Sequence, residues 1–197
     1  MTGKRLPPGP HLDLLLEALD TEAGAQRALL DGDPAGAARM FDAASRRYRA
    51  SYECAPPESY GRLVGMLKAA VIAGDPADAV GFARRALVDA QPTPTAGYAT
   101  AIAALVAGDI DATRRGTALM RAGDERFVRT AAAITALVEG DRVAYEHACR
   151  AIVADFEASA EHVTGVAIAD TAVMLETIAA DHGLACHPVS ALMPATP

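Results

Sequence analysis

The sequence predicts an all-α protein, an antiparallel helix-pair solenoid of about nine helices that forms one domain over residues 1–197. Three observations predict it. The dipeptide Gly-Asp recurs at Gly32-Asp33, Gly74-Asp75, Gly108-Asp109 and Gly140-Asp141. Apolar residues return every three or four positions on either side of these dipeptides. Alanine supplies much of the 51% apolar content, aromatics are 5% and tryptophan is absent. That composition suits closely packed helices and gives strands little to work with.

Each Gly-Asp reads as a stop followed at once by a start. Glycine takes the left-handed conformation that closes a helix. Aspartate accepts a hydrogen bond from an unpaired N–H of the next helix. Proline at Pro34 and Pro76 stands where a first helical residue needs no N–H donor. The glycines are 42, 34 and 32 residues apart, a period that marks stacked helix–turn–helix units.

The elements follow in order. Residues 1–9 form a flexible N-terminus. The first pair spans 10–31 and 34–51. "APPES" breaks the pattern before the second pair, 57–74 and 76–90. That pair carries Leu63, Leu67, Ala70 and Val71, then Ala79, Ala83, Ala86, Leu87 and Ala90. "AQPTPT" precedes the third pair, 94–108 and 109–122. A fourth pair covers 124–139 and 141–158, with Tyr145, Cys149, Ile152 and Phe156 on one stripe. A last helix is expected over 161–182, with Asp170 among Val166, Val173 and Met174. Residues 184–197 read as an extended tail.

Residues 60–92, "YGRLVGMLKAAVIAGDPADAVGFARRALVDAQP", resemble a tetratricopeptide repeat through Gly74, Ala79, Ala86, Leu87 and Pro92. The unit around Gly32 is similar, with Ala37, Phe41 and Ala44. The later units depart, with Thr113 and Met120, then Tyr145 and Ile152, at the small positions. The resemblance implies a protein-binding scaffold. A second resemblance covers residues 128–194. Asp181, Gly183, Ser190, Leu192 and Pro194 are similar in placing to the C-terminal part of the bacterial immunity protein 49 family, which implies a toxin-neutralising protein.

Charge is unevenly spread. Residues 1–130 hold 16 basic and 16 acidic groups, and residues 131–197 hold 2 and 9, the whole net charge of −7. Phosphate repulsion disfavours a nucleic acid there. A basic protein partner is the expectation, with Glu139, Glu146, Asp155, Glu157 and Glu161 as its contacts. Arg62 and Lys68, on a first helix of a pair, are expected to line the inner surface and to hold an acidic peptide terminus. The alternative is a sensing domain with a small molecule or peptide in the groove.

Catalytic and metal signatures are missing from the spacing. No Gly-x-Ser-x-Gly elbow occurs, and "GRLVG" lacks the Lys and Ser/Thr of a phosphate loop. His147 and Cys149 are two apart on a helix, and Gly183 ends the helix between His182 and Cys186. Cys186 and His187 are adjacent in an extended segment and face opposite ways. Neither an enzyme nor a cofactor nor a metal is expected. Three cysteines without Cys-x-x-Cys argue against a disulfide framework or zinc ribbon. "LPPGPH" stands where a signal peptide would need an apolar run, and the longest uncharged apolar stretch is shorter than the roughly 20 residues of a membrane span. Sixteen of 18 basic residues are arginine, a bacterial high-GC habit. A bacterial cytoplasm is the expected location.

Overall fold

The computed structural model describes residues 9–195. The expected flexible N-terminus therefore lies, but for Gly9, outside the described residues. Among these residues there are nine α-helices and no strand. They are α1 (Pro10–Leu30), α2 (Pro34–Glu53), α3 (Gly61–Ala73), α4 (Ala77–Ala86), α5 (Pro94–Val106), α6 (Ile110–Met120), α7 (Glu125–Glu139), α8 (Arg142–Glu157) and α9 (Asp170–Asp181). None is long and apolar enough to cross a membrane.

The Gly-Asp turns work as the residue types require. Gly32, Gly74, Gly108 and Gly140 all have φ between 67° and 86°, a region that glycine enters at little cost. At three of them the aspartate N–H reaches back to the carbonyl five residues earlier: Asp33 to Ala28, Asp109 to Ala104 and Asp141 to Ala136. The same three aspartates cap the next helix, accepting from the N–H groups of Gly36, Ala112 and Ala144. The turn at Gly74 differs. Asp75 places no cap, Pro76 occupies the cap position instead of the first helical one, and α4 opens with the Val80 N–H on the Pro76 carbonyl.

Consecutive helices pack as antiparallel pairs, and α3, α5 and α7 also touch one another in an inner row. The tightest approach is between α5 and α6. A Cβ on Gly97 would stand 2.8 Å from the Gly116 carbonyl oxygen, and one on Gly116 would stand 2.7 Å from the Ala101 nitrogen. Only glycines let these backbones meet. One core cluster runs from Ala18 on α1 to Ala179 on α9.

Two expectations are corrected. The third helix begins at Gly61, not 57, because Pro56 and Pro57 hold an irregular turn in which Glu58 has φ 66°. The last helix begins at Asp170, not 161. Val163, Thr164, Val166 and Ile168 are β-branched and lose side-chain freedom in a helix, and Gly165 has φ 71°. The segment instead crosses α1, burying Val166 and Ile168 with Ala23 and Val173. Helix α9 then returns to pack against α3, α7 and α8. It ends at Gly183, where the Leu184 N–H closes on the Ala179 carbonyl. The tail beyond has no regular structure and lies on the core through Leu184, Ala185, Leu192 and Met193.

Candidate functional site

The inner row of helices, the end of α8, the crossing segment and the start of α9 enclose a pocket of about 570 Å³. Its apolar wall includes Leu15 and Leu19 of α1, Val64 of α3, Phe127 of α7, Ile152 of α8 and Ile168. Its floor is polar, and two hydrogen-bonded chains build it.

The first chain starts on α1. Glu22 and Gln26 are one turn apart and both are buried. The Tyr48 hydroxyl donates to Glu22 at 2.5 Å, and the Gln26 amide donates to the other carboxylate oxygen at 3.4 Å. The Thr164 hydroxyl, from the crossing segment, donates to Gln26 Oε1 at 2.5 Å. Burial raises the Glu22 pKa, partly offset by the Lys68 charge. Burial and the adjoining Glu22 carboxylate push the Tyr48 phenol well above the usual range.

The second chain joins α3 to α9. Lys68 Nζ lies 2.5 Å from Asp170 Oδ2 and donates to Thr171 Oγ1 at 3.3 Å. The Thr171 hydroxyl in turn faces Asp170 Oδ1 at 3.3 Å. Burial, the largest single influence, would lower the Lys68 pKa, but Asp170, Tyr98 and Glu22 together outweigh it and the ammonium is held above its usual range. Asp170 also sits in the first turn of α9, where an anion meets the positive end of the helix dipole.

Two polar atoms of the lining have no partner among the described residues: the Tyr98 hydroxyl and His162 Nδ1. Tyr98 is 8% exposed. Its phenol stands beside Lys68 and Thr171, and burial raises its pKa, so it is a neutral hydrogen-bonding group set just behind the cavity surface. A buried polar group without a partner costs about 1–3 kcal/mol. At the mouth, Asp155 of α8 accepts from Arg129 at 2.6 Å and lies 3.3 Å from Arg126. The His162 ring stacks on Phe156.

The residues marked by the sequence fall in different places. Lys68, expected to hold an acidic peptide terminus, lines the pocket and pairs with Asp170 of its own chain. Arg62 is 5% exposed and points away from the floor. Its Nε donates to Ser51 Oγ at 2.7 Å, and burial lowers its pKa. The five acids do not share one face. Glu139 and Glu146 lie near the α7–α8 turn, whereas Asp155, Glu157 and Glu161 lie at the far end of α8, about 15 Å further on at 1.5 Å per residue. Glu146 pairs with Arg150 and Glu157 accepts from Ser190. Asp155 and Glu161 belong to the pocket lining.

Glu22, Gln26, Tyr48, Tyr98 and Thr164 were not legible as site residues. The available signal was Lys68 within Leu67, Ala69, Ala70 and Val71, and Asp170 within its own apolar run. Each is a lone charge in a buried stretch, and the fold makes them partners. No protein-family model, curated protein or solved structure matches the chain.

Proposed function

We propose that this chain is a binding protein of tetratricopeptide-like helix-pair design whose inner pocket holds an uncharged amphipathic molecule, or an uncharged chain end of a partner. The Tyr98 hydroxyl, buried and unpartnered in the pocket wall, carries this reading. Charge selects the ligand class. Lys68 and Asp170 cancel one another, and burial favours the protonated form of Glu22. A carboxylate entering the site loses its hydration beside Asp170, and an ammonium beside Lys68, with the charge of that pair already neutralised. A hydroxyl or amide that presses between the lining side chains reaches the Tyr98 phenol beside Thr171, with an apolar body against Leu15, Leu19, Val64 and Phe127. The pocket volume lies in the range of small-molecule sites.

Thermal unfolding with four probes of equal chain length tests it. The expected result is saturable stabilisation by 1-hexanol and hexanamide, growing with the logarithm of concentration, and none by hexanoate or hexylamine. Tyr98→Phe removes the partner hydroxyl and Val64→Phe fills the cavity, so both variants lose the response. Equal responses from all four probes, or from the two variants, would overturn the proposal.

The second reading is a basic protein partner, in the manner of an immunity protein of a bacterial cytoplasm. Glu139 and Glu161 favour it, being exposed and outside every ion pair among the described residues. Reversing both charges should then weaken a captured basic partner and flatten the salt dependence of its affinity. Unchanged binding would leave the pocket as the sole supported site.

A further inference from the structure

A second polar cluster lies outside the lining of this pocket, elsewhere along α8 and α9. It joins three elements that the sequence keeps apart: Cys149 on α8, Glu176 on α9, and Cys186 with His187 just after the Gly183 turn. Cys186 Sγ lies 3.3 Å and Cys149 Sγ 3.9 Å from the same oxygen, Glu176 Oε1. One ligand atom from each of the three residues lies within 4.8 Å of the other two. His187 Nδ1 is 3.8 Å from Glu176 Oε2.

We propose that Cys149, Glu176 and Cys186, with His187 as fourth ligand, form a tetrahedral zinc site. Two thiols, a carboxylate and an imidazole are a donor set that suits zinc. The distances fit as well. Ligands at about 2.3 Å for sulfur and about 2.0–2.2 Å for oxygen or nitrogen give tetrahedral edges of roughly 3.4–3.8 Å. The two thiol separations from Glu176 Oε1, 3.3 and 3.9 Å, bracket those edges; His187 faces the other oxygen, Oε2, at 3.8 Å and stands outside the three-residue group, so its exposed ring swings inward to complete the site.

Glu176 has an 11% exposed side chain, and among the described residues no Lys or Arg pairs with it. Its carboxylate is held by donors instead. Tyr145 donates its hydroxyl to Oε1 at 2.7 Å, and the Cys186 and His187 N–H groups donate to Oε2 at 3.1 and 2.6 Å. These contacts orient the carboxylate as outer-shell groups orient metal ligands. Without a cation the thiols stay protonated. Burial and the Glu176 charge push Cys149 up to about 11, and burial with Cys149 and Glu176 holds Cys186 still higher. Metal binding forms two Zn–S bonds and releases two thiol protons to solvent.

Local spacing could not show this site. His147 with Cys149 and His182 with Cys186 do not meet, whereas the adjacent Cys186 and His187, expected to face opposite ways in an extended segment, both reach Glu176 because the backbone at His187 turns with φ 48°. Glu176 was not marked at all.

The test uses the full reduced chain, stripped of metal by a chelator and titrated with Co²⁺ and then Zn²⁺. One Co²⁺ per chain should bind with the d–d and thiolate charge-transfer bands of a tetrahedral thiolate site, and one equivalent of Zn²⁺ should abolish them. Cys186→Ser, at a half-buried position, should remove the charge-transfer intensity from one thiolate and weaken binding at least tenfold. Tyr145→Phe should weaken it about tenfold while keeping the bands. Cys54→Ser, at an exposed cysteine, should change nothing. Circular dichroism confirms that each variant is folded. Absence of the bands in folded wild type, identical spectra in wild type and Cys186→Ser, or a fully reduced chain that takes up no metal would each overturn the proposal.

Discussion

Glu22 shows how a single buried carboxylate couples the pocket to pH. Its pKa is raised, mainly because burial penalises the charged form. The folded chain therefore holds this proton at pH values where the unfolded chain has lost it. The corresponding stability is fully present below the unfolded carboxylate value of about 4.3 and is lost as pH rises through the higher folded value. Glu22→Gln keeps an acceptor for the Tyr48 hydroxyl and an oxygen for Gln26, but has no proton to lose. Denaturant midpoints of both chains across pH 4 to 8 should show wild type losing stability relative to the variant as pH rises. Parallel curves would mean that Glu22 stays solvated. This residue was not legible in the sequence, because one glutamate on an alanine-rich helix reads as a surface charge. Only the arrival of Tyr48 and Thr164 from distant segments makes it an interior group.

At the scale of the element, the sequence was legible where a turn is built from its own residues. The Gly-Asp dipeptides at 32, 108 and 140 close one helix and cap the next with local hydrogen bonds, so residue type decides the outcome. The turn at Gly74 has the same letters and a different geometry, with no side-chain cap. The two aspartates therefore separate capping from composition. Asp141→Ala should cost about 1 kcal/mol, the usual value of a lost cap, while Asp75→Ala should fall within about 0.5 kcal/mol of wild type. Equal losses by chemical denaturation would show that Asp75 caps α4 in solution. Residues 161–169 were misread for the opposite reason. Their helical spacing was weak evidence beside four β-branched residues and a glycine at φ 71°. Their conformation is fixed from outside, by Thr164 on Gln26 and by the Ala169 N–H on the Leu192 carbonyl.

The whole molecule departs from a plain stack of repeats through α9. In an ideal solenoid each unit touches only its neighbours, and stability is a sum of local terms. Here α9, the last helix, packs on α3, from the second pair, as well as on α7 and α8, and Lys68–Asp170 joins the same two elements across 102 residues of sequence. Nothing in a repeat pattern announces such a return, which is why the helix pairs were legible and the closure of the pocket was not. The contact has an energetic consequence. Met174 is fully buried on α9, and Met174→Ala should cost about 2–5 kcal/mol. If α9 closes the structure, the loss is shared. Amide exchange monitored by mass spectrometry should rise in α3 and α8 together with α9, and denaturation should remain one cooperative transition. If α9 were only a terminal cap, exchange would rise in α9 and its neighbour α8 while α3 stayed protected. The pocket depends on the first outcome, because its floor exists only while α9 holds Asp170 and Thr171 against Lys68.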